Sequence, residues 1–491
     1  MIVLKGCFLL FTATFIFASA FYFFGKNKLT KALFFNVLGG LILRGWCASD
    51  RFLHVWDERY HALVAKHLMT HPLRPMLYDK PIFSYDYKAW GDNHIWLSKQ
   101  PLPLWAMAGS MKLFGVNEIV LRIPSLVVAS LAVILTFFIA RQLFNDKVAF
   151  GASFFHAIHG LTIEANAGRD YGDHVATFFA FFIELGVLCT ILSYKTSKKS
   201  LFSILTGACI GLAFLCKWQP ALMILPVWMI AQPDLRQIFR NILPLSISAF
   251  LVAAPWQFYI FQNFPIETKW IYGAIFQPMS QAIQGHDGAW WYYIEQVRIT
   301  FGEVIYLPML WLIYIFFRKI EKENVRILSV WLFCPLVIFS MMATKRQAYL
   351  IDFAPAFFIL TALSINFLQI SKEKSLFSPI IVQLLTILLF VLPIRYTIER
   401  VKPFETKIED IETAKILRGW QNELPGAEKT VIFNTQFPIE VMFYNDVTAA
   451  YVFLPTKEQI NDLIGRGYKI AIVRNQNVPE ELLNRKDIQL L

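Results

Sequence analysis

The chain has 491 residues, 56% of them hydrophobic and only 16% charged, and its mean hydropathy is +0.48. Soluble chains carry about a quarter charged residues, so a soluble enzyme is excluded and a membrane protein indicated. The net charge of +11 therefore implies no nucleic acid as a partner. Its first explanation is the excess of Lys and Arg in short cytoplasmic loops, and its second is contact with membrane lipids or a phosphate-bearing substrate.

Apolar runs long enough to cross the hydrocarbon, about 18 residues or more, recur from the N-terminus to Ile394. The candidate spans are 6–24, 32–49, 118–140, 148–166, 173–194, 201–217, 219–231, 242–262, 292–317, 327–343, 348–370 and 376–394. The 219–231 run is short and interrupted by Pro220 and Pro226, which favours a broken or partial helix. The first run holds Ala18-Ser19-Ala20, which mimics a signal-peptidase site, but apolar sequence follows and only Lys5 precedes, so an uncleaved span is favoured. The six cysteines show no CxxC spacing, which supports neither a disulfide framework nor a zinc knuckle. Alternate short loops are all net positive: Lys26 to Lys31, Arg141 to Lys147, Lys195 to Lys199, Arg236 to Arg240, Arg318 to Arg326 and Lys372 to Lys374. Those loops belong to the cytoplasm, which leaves both termini and the loops 50–117 and 263–291 outside. The expected fold is a polytopic α-helical membrane protein of about 11–13 transmembrane helices, with residues 1–394 as the transmembrane domain.

Polar clusters punctuate the exterior segments. The loop 50–117 opens with His54-Val55-Trp56-Asp57-Glu58-Arg59-Tyr60-His61, and Tyr60, Leu63, Val64, His67 and Leu68 have helical spacing. Leu97-Ser98-Lys99-Gln100-Pro101 follows, and the apolar stretch from Pro101 to Val116 is expected to lie in the interface. Glu164 to His174, with Arg169 and Asp173, marks the start of the fifth span. The 263–291 loop holds His286 ahead of Trp290-Trp291-Tyr292-Tyr293, an aromatic re-entry point, and Lys345, Arg346 and Tyr349 open the eleventh span. Residues 395–491 are charged and periodic. Strand-like runs at Thr430–Phe433, Thr448–Phe453 and Lys469–Val473 alternate with helix-like ones at 406–421 and 457–464, which predicts a small C-terminal α/β exterior domain.

Carboxylates (Asp57, Glu58, Asp173), cations (Lys99, Arg169, Lys269, Lys345, Arg346) and His286 thus fall on one face. Ionisable groups at membrane boundaries mark substrate pathways. A carboxylate can take the proton of an attacking hydroxyl, and Lys and Arg can neutralise charge on a phosphate leaving group. Each residue also has a plainer role. Asp57 suits a helix N-cap, Glu58 a first helical turn, Lys99 and Lys345 snorkelling at the interface, and Arg169 with Asp173 a helical ion pair.

Trp56-Asp57-Glu58-Arg59-Tyr60 resembles the opening motif of bacterial aminoarabinose transferases and their protein O-mannosyltransferase relatives. These are GT-C-fold glycosyltransferases that use polyprenyl-phosphate sugars. Lys99-Gln100-Pro101 with Leu104-Trp105 is similar to that family's Lys-Pro-Pro motif, and Phe114 to Glu118 with Arg122 to its next signature. Gly211 to Lys217, His286 before Trp291-Tyr292-Tyr293, and Lys345 with Tyr349 follow in the family's order. The resemblance implies an inverting transfer from a polyprenyl-phosphate-linked sugar to a lipid, glycan or protein acceptor at the exterior, periplasmic face of the inner membrane. It implies Asp57 as the essential acid, and Lys99, Lys345 and Tyr349 around the lipid phosphate; the exterior polar cluster adds Glu58 as a second catalytic carboxylate and Arg169 and Asp173 as substrate contacts. It also implies a divalent metal ion helped by His286. The chain departs from the pattern at Ser98, where an acid often stands, at Gln100 in place of the first Pro, and in its extra N-terminal span. A transporter or flippase of lipid-linked saccharides is the competing class. It predicts internal repeats and midplane charges; no convincing repeat is present, and the charges gather on one face.

Overall fold

The computed structural model describes residues 2–491 except 83–84, 92, 170–172, 321, 376, 425–428 and 451–452; the side chains of Asp173 and Lys322 also fall outside it. Two compact units are present. One comprises 1–49, 99–103 and 122–405, the other 50–98, 104–121 and 406–491.

The first unit is a bundle of apolar helices, and the chain is a multi-pass membrane protein. Among the described residues nine helices are long and apolar enough to cross a bilayer, or ten if the bent pair Tyr292–Phe301 and Glu303–Phe317 is one span. The pair turns through 119° at Gly302, whose φ of +98° is a conformation open to glycine. The two remaining apolar runs are helical but broken. Residues 148–166 form Asp146–Ile158 and Gly160–Asn166, separated where His159 leaves helical geometry at ψ 114°. Residues 219–231 form a 3-10 turn, Gln219–Met223, and a short helix, Ile224–Ala231. Burial sorts the spans: the best window of Gln347–Glu373 is 94% buried, against 17% for Leu235–Asn263. The first is therefore the bundle's axis and the second faces outward.

Small residues set the closest helix pair. A Cβ on Gly207 would strike the Leu245 carbonyl, and one on Gly211 would lie 2.7 Å from the Ala249 oxygen. This is the GxxxG device, which lets the Lys199–Lys217 and Leu235–Asn263 backbones approach where lipid gives no hydrophobic drive. Polar groups supply the other adhesive. Arg44, fully buried on Leu29–Ala48, donates to the Ala157 and His156 oxygens at 3.0 and 3.1 Å. These are last-turn carbonyls of Asp146–Ile158, beyond the reach of the helix's own ladder; the His156 oxygen also takes the His159 N–H at 3.4 Å. Nearby, Thr136 donates to Glu184 Oε2 at 2.7 Å and so accepts from His156 Nδ1 at 2.8 Å.

The second unit carries a four-stranded parallel sheet. Its strands are β1 (Thr430–Phe433), β2 (Thr448–Ala449), β3 (Lys469–Ile472) and β4 (Ile488–Leu490), in the order β2-β1-β3-β4. Val431, Phe433, Ile470 and Ile472 meet Ile460 and Leu463 of Lys457–Gly465, whose start is fixed by a capping box of Thr456 and Gln459. The expected strand Thr448–Phe453 is described only as far as Ala449, since 451–452 fall outside the described residues. Residues 50–98 fold with this tail. Helix Asp57–Leu68 packs on Pro438–Asn445, with Arg59 on Glu440 at 3.1 Å and Lys66 on Asp446 at 2.6 Å. Arg418 and Tyr444 both bond Glu118, the tyrosine at 2.6 Å. The helix expected from its spacing to be amphipathic is thus covered on much of its surface, which is why Glu58 and His61 as well as Leu63 and Val64 are buried.

Replacing Arg44 by Leu removes both donors from buried carbonyls and should cost about 3 kcal/mol, the scale for breaking a buried charged contact. Arg44→Lys, able to reach one carbonyl, should recover part. Thermal unfolding in detergent checks the order wild type, Lys, Leu.

Candidate active site

The acidic element lies in the second unit. Asp57 is the first residue of its helix rather than the cap; Trp56 holds the N-cap position and makes no side-chain capping bond. Asp57 is half-buried, so its carboxylate lies near the positive end of the helix while keeping access to solvent. Glu58 differs. It is fully buried, and its Oε2 accepts from the His54 backbone N–H at 2.7 Å and lies 2.6 Å from His54 Nδ1. One oxygen of Glu58 is thus engaged by both the backbone and the ring of His54.

The cationic element lies in the membrane unit. Tyr349, on the 3-10 turn Gln347–Phe353, is its centre. Lys99 and Arg346 both act on it electrostatically, and the Lys217 ammonium stands 5.0 Å from the centre of its ring. Lys217 closes helix Lys199–Lys217 and is held by both oxygens of Asp352, at 2.9 and 2.8 Å. Beside Lys99, Gln100 is buried and its oxygen accepts from Gln257, which in turn accepts from the Tyr272 hydroxyl at 2.6 Å. A Gln where the resembled motif has Pro therefore anchors the Lys99 segment by a polar chain that proline lacks.

Lys345 and His286 are joined through the backbone: the Lys345 N–H donates to the His286 oxygen at 2.8 Å. The Lys345 ammonium is buried and donates to the oxygens of Ser340, at 2.6 Å, and Met342, at the end of helix Lys322–Met341. That burial lowers its pKa from the ordinary lysine value. Arg169 is similarly engaged, with its guanidinium on the Val401 carbonyl at 3.1 Å and on Cys47 Sγ. Asp173 begins helix Asp173–Lys195, and its side chain lies outside the described residues. The structure therefore gathers Lys99 and Tyr349, with Arg346 and Lys217, while Lys345 and Arg169 bond helix-end carbonyls. Asp57 and Glu58 belong to the other unit.

Among the described residues no three His, Cys, Asp or Glu side chains come together as ligands. At His286, desolvation, the larger cause, and the charge of Arg346 lower the imidazole's pKa.

Asp352 escaped the sequence reading. It is fully buried in the apolar 348–370 run, and the signal was there: a lone acid in a span requires a cation, and Lys217 ends another span.

The fold compares directly with solved structures. ArnT from Cupriavidus metallidurans bound to undecaprenyl phosphate superposes with a TM-score of 0.61 at 12% identity, over 88% of this chain and 87% of that one. The oligosaccharyltransferase of Archaeoglobus fulgidus gives a TM-score of 0.53 at 13% identity, over 84% of this chain and 64% of that one. The chain has the GT-C fold. In sequence, residues 98–259 match the family described as dolichyl-phosphate-mannose-protein mannosyltransferase; the match contains Lys99 and Lys217 and spans well under half of the chain. The undecaprenyl phosphate-α-4-amino-4-deoxy-L-arabinose arabinosyl transferase 2 of Pseudomonas fluorescens is 24% identical over 277 residues, 53% of this chain and 48% of that protein. The chain spans about half the length of the curated relatives it matches.

Asp352→Asn should leave Lys217 uncompensated and destabilise the membrane unit by about 3–5 kcal/mol, whereas the double replacement Lys217→Met with Asp352→Leu should cost less. Unfolding of the single and double variants in detergent gives the coupling.

Proposed function

We propose that the protein is an integral-membrane glycosyltransferase of the multi-pass inner-membrane type. It moves one sugar, with inversion, from a polyprenyl-phosphate carrier to a lipid A or lipopolysaccharide, glycan or protein acceptor on the periplasmic face. The observation that carries this reading is the cation cluster of Lys99, Arg346 and Lys217 around Tyr349, set in a fold shared with an enzyme crystallised with undecaprenyl phosphate.

The chemistry asks for two roles. Asp57 accepts the proton of the acceptor hydroxyl as its oxygen attacks the anomeric carbon. The bond from that carbon to the phosphate oxygen breaks, and its electron pair leaves with the carrier. A phosphodiester carrying one negative charge becomes a monoester approaching two. Cations beside it are therefore worth more in the transition state than in the ground state, which is the condition for catalysis. Lys99 is the cation assigned to the phosphate together with Tyr349. Lys345 joins them on exchanging its carbonyl partners for phosphate oxygens, and Arg169 and Asp173 contribute to substrate binding from the start of the fifth span. The divalent ion attached by resemblance to His286 enters none of these steps; chelation and add-back of Mg2+ to the purified protein tests for it.

The assay is transfer of radiolabelled sugar from polyprenyl-phosphate sugars, extracted from membranes of the organism that encodes the chain, to its outer-envelope lipids and proteins. Asp57→Asn should lower kcat by about 10²–10⁴-fold, the usual weight of a general base. Wild-type transfer by that variant at matched expression would overturn the reading. Lys99→Ala should raise KM for the lipid-linked sugar by about tenfold, equivalent to about 1.4 kcal/mol, and unchanged donor kinetics would remove Lys99 from the site.

A further inference from the structure

The turn that delivers Asp57 is strained. Trp56 sits at φ +74°, ψ −122°, a region that glycine enters freely and that strains a bulky residue. Its indole is 56% exposed, so burying the ring is not what fixes the turn. The residues on either side supply a restraint.

Glu58 follows the strained link and is fully buried; His54 precedes it and is 6% exposed. Glu58 Oε2 accepts from the His54 backbone N–H at 2.7 Å and contacts Nδ1 of the same residue at 2.6 Å. That closes residues 54–58 into a ring with Trp56 and Asp57 at its apex. The other imidazole nitrogen, Nε2, is 3.0 Å from Asp50 Oδ2, which also receives the Lys407 ammonium at 3.4 Å. Phe52 covers the assembly, edge-on to His54 and beneath Lys407. The imidazole is thus held from both sides, by Glu58 at Nδ1 and by Asp50 at Nε2.

We propose that Asp50, His54 and Glu58 form a clamp that holds the strained Trp56–Asp57 link and so aims the Asp57 carboxylate. Glu58, expected from the sequence to share the chemistry, is on this view a positioning residue, since its buried oxygen is engaged by both the backbone and the ring of His54. Lys407, at the N-cap of the first tail helix Ile408–Gly419, closes the clamp from the C-terminal part of the same unit. The proposal rests on the reading of Asp57 as the base.

The experiment uses the full chain in nanodiscs with the same extracted polyprenyl-phosphate sugars. Glu58→Gln retains an acceptor oxygen for His54 and should keep kcat within about tenfold of wild type, whereas Asp57→Asn should lose the full general-base factor of about 10²–10⁴. Equal loss in the two would make Glu58 a catalytic acid and overturn the clamp. At position 54, Asn places an amide where Nδ1 stands and Gln where Nε2 stands. The expected order of kcat is therefore His54→Asn above His54→Gln and His54→Ala, with KM for the lipid-linked sugar changing less than about twofold. The reverse order, or an effect on KM alone, would count against the Glu58 arm. Trp56→Gly should raise the unfolding temperature by releasing strain while lowering kcat; an unchanged kcat would show that the strained link aims nothing. Amide hydrogen exchange over residues 54–58 tests the clamp without any substrate: it should be faster in His54→Ala than in His54→Asn. If Asp57→Asn remains active, the functional reading falls, while the exchange result still decides whether the clamp exists.

Discussion

The last turn of every helix leaves carbonyls without partners, and in an apolar bundle there is no water to take them. This chain meets that constraint with cations. Arg44 serves the end of Asp146–Ile158, and Arg122 donates to Ala48 at the end of Leu29–Ala48. Arg169 serves the last residue of Pro379–Val401, and Lys345 the end of Lys322–Met341. Each puts a positive charge where the helix dipole is negative. Several spans therefore end where a cation from elsewhere in the sequence holds them, so part of the surplus of Lys and Arg is structural.

The same constraint explains which parts of the site were legible in the sequence. Spans were visible because length and apolarity are local properties. The two apolar runs that prove broken, 148–166 and 219–231, were betrayed only in part: two prolines signalled the second, while the first breaks at His159. Arg169 and Lys345 stood out as polar residues at membrane edges, but their bonds to Val401 and Ser340 depend on chain folding that no local pattern records. Asp352 was overlooked because a single acid hardly alters the apolarity of its run. The pairing of Asp57 with Glu58 was plain in the sequence; their separation into one half-buried and one fully buried carboxylate depends on His54 and on the tail helix Pro438–Asn445.

The second unit shows how little of a site's architecture needs to be near it in sequence. The loop 50–98 contributes the acids, the Glu118 carboxylate anchors Arg418 and Tyr444, and the tail contributes Glu440, Asp446 and Lys407. Burial pushes the Tyr444 hydroxyl's pKa up, with Glu118 adding to the shift, and lowers that of the Lys66 ammonium. These are marks of contacts desolvated inside the unit. The small α/β tail is thus the packing partner of the acidic helix, and its parallel sheet supplies the platform.

That construction fixes an order of events during synthesis. The segments 50–98 and 104–121 emerge early, yet the strands and helices that bury them lie after residue 406, beyond nearly all the membrane helices. At about 5–20 residues per second, the ribosome leaves the early segments without their partners for tens of seconds. Helix Asp57–Leu68, with its apolar side chains, must wait through that interval, exposed to proteases and to premature association. A chain truncated in the tail therefore carries its spans and an unfinished second unit.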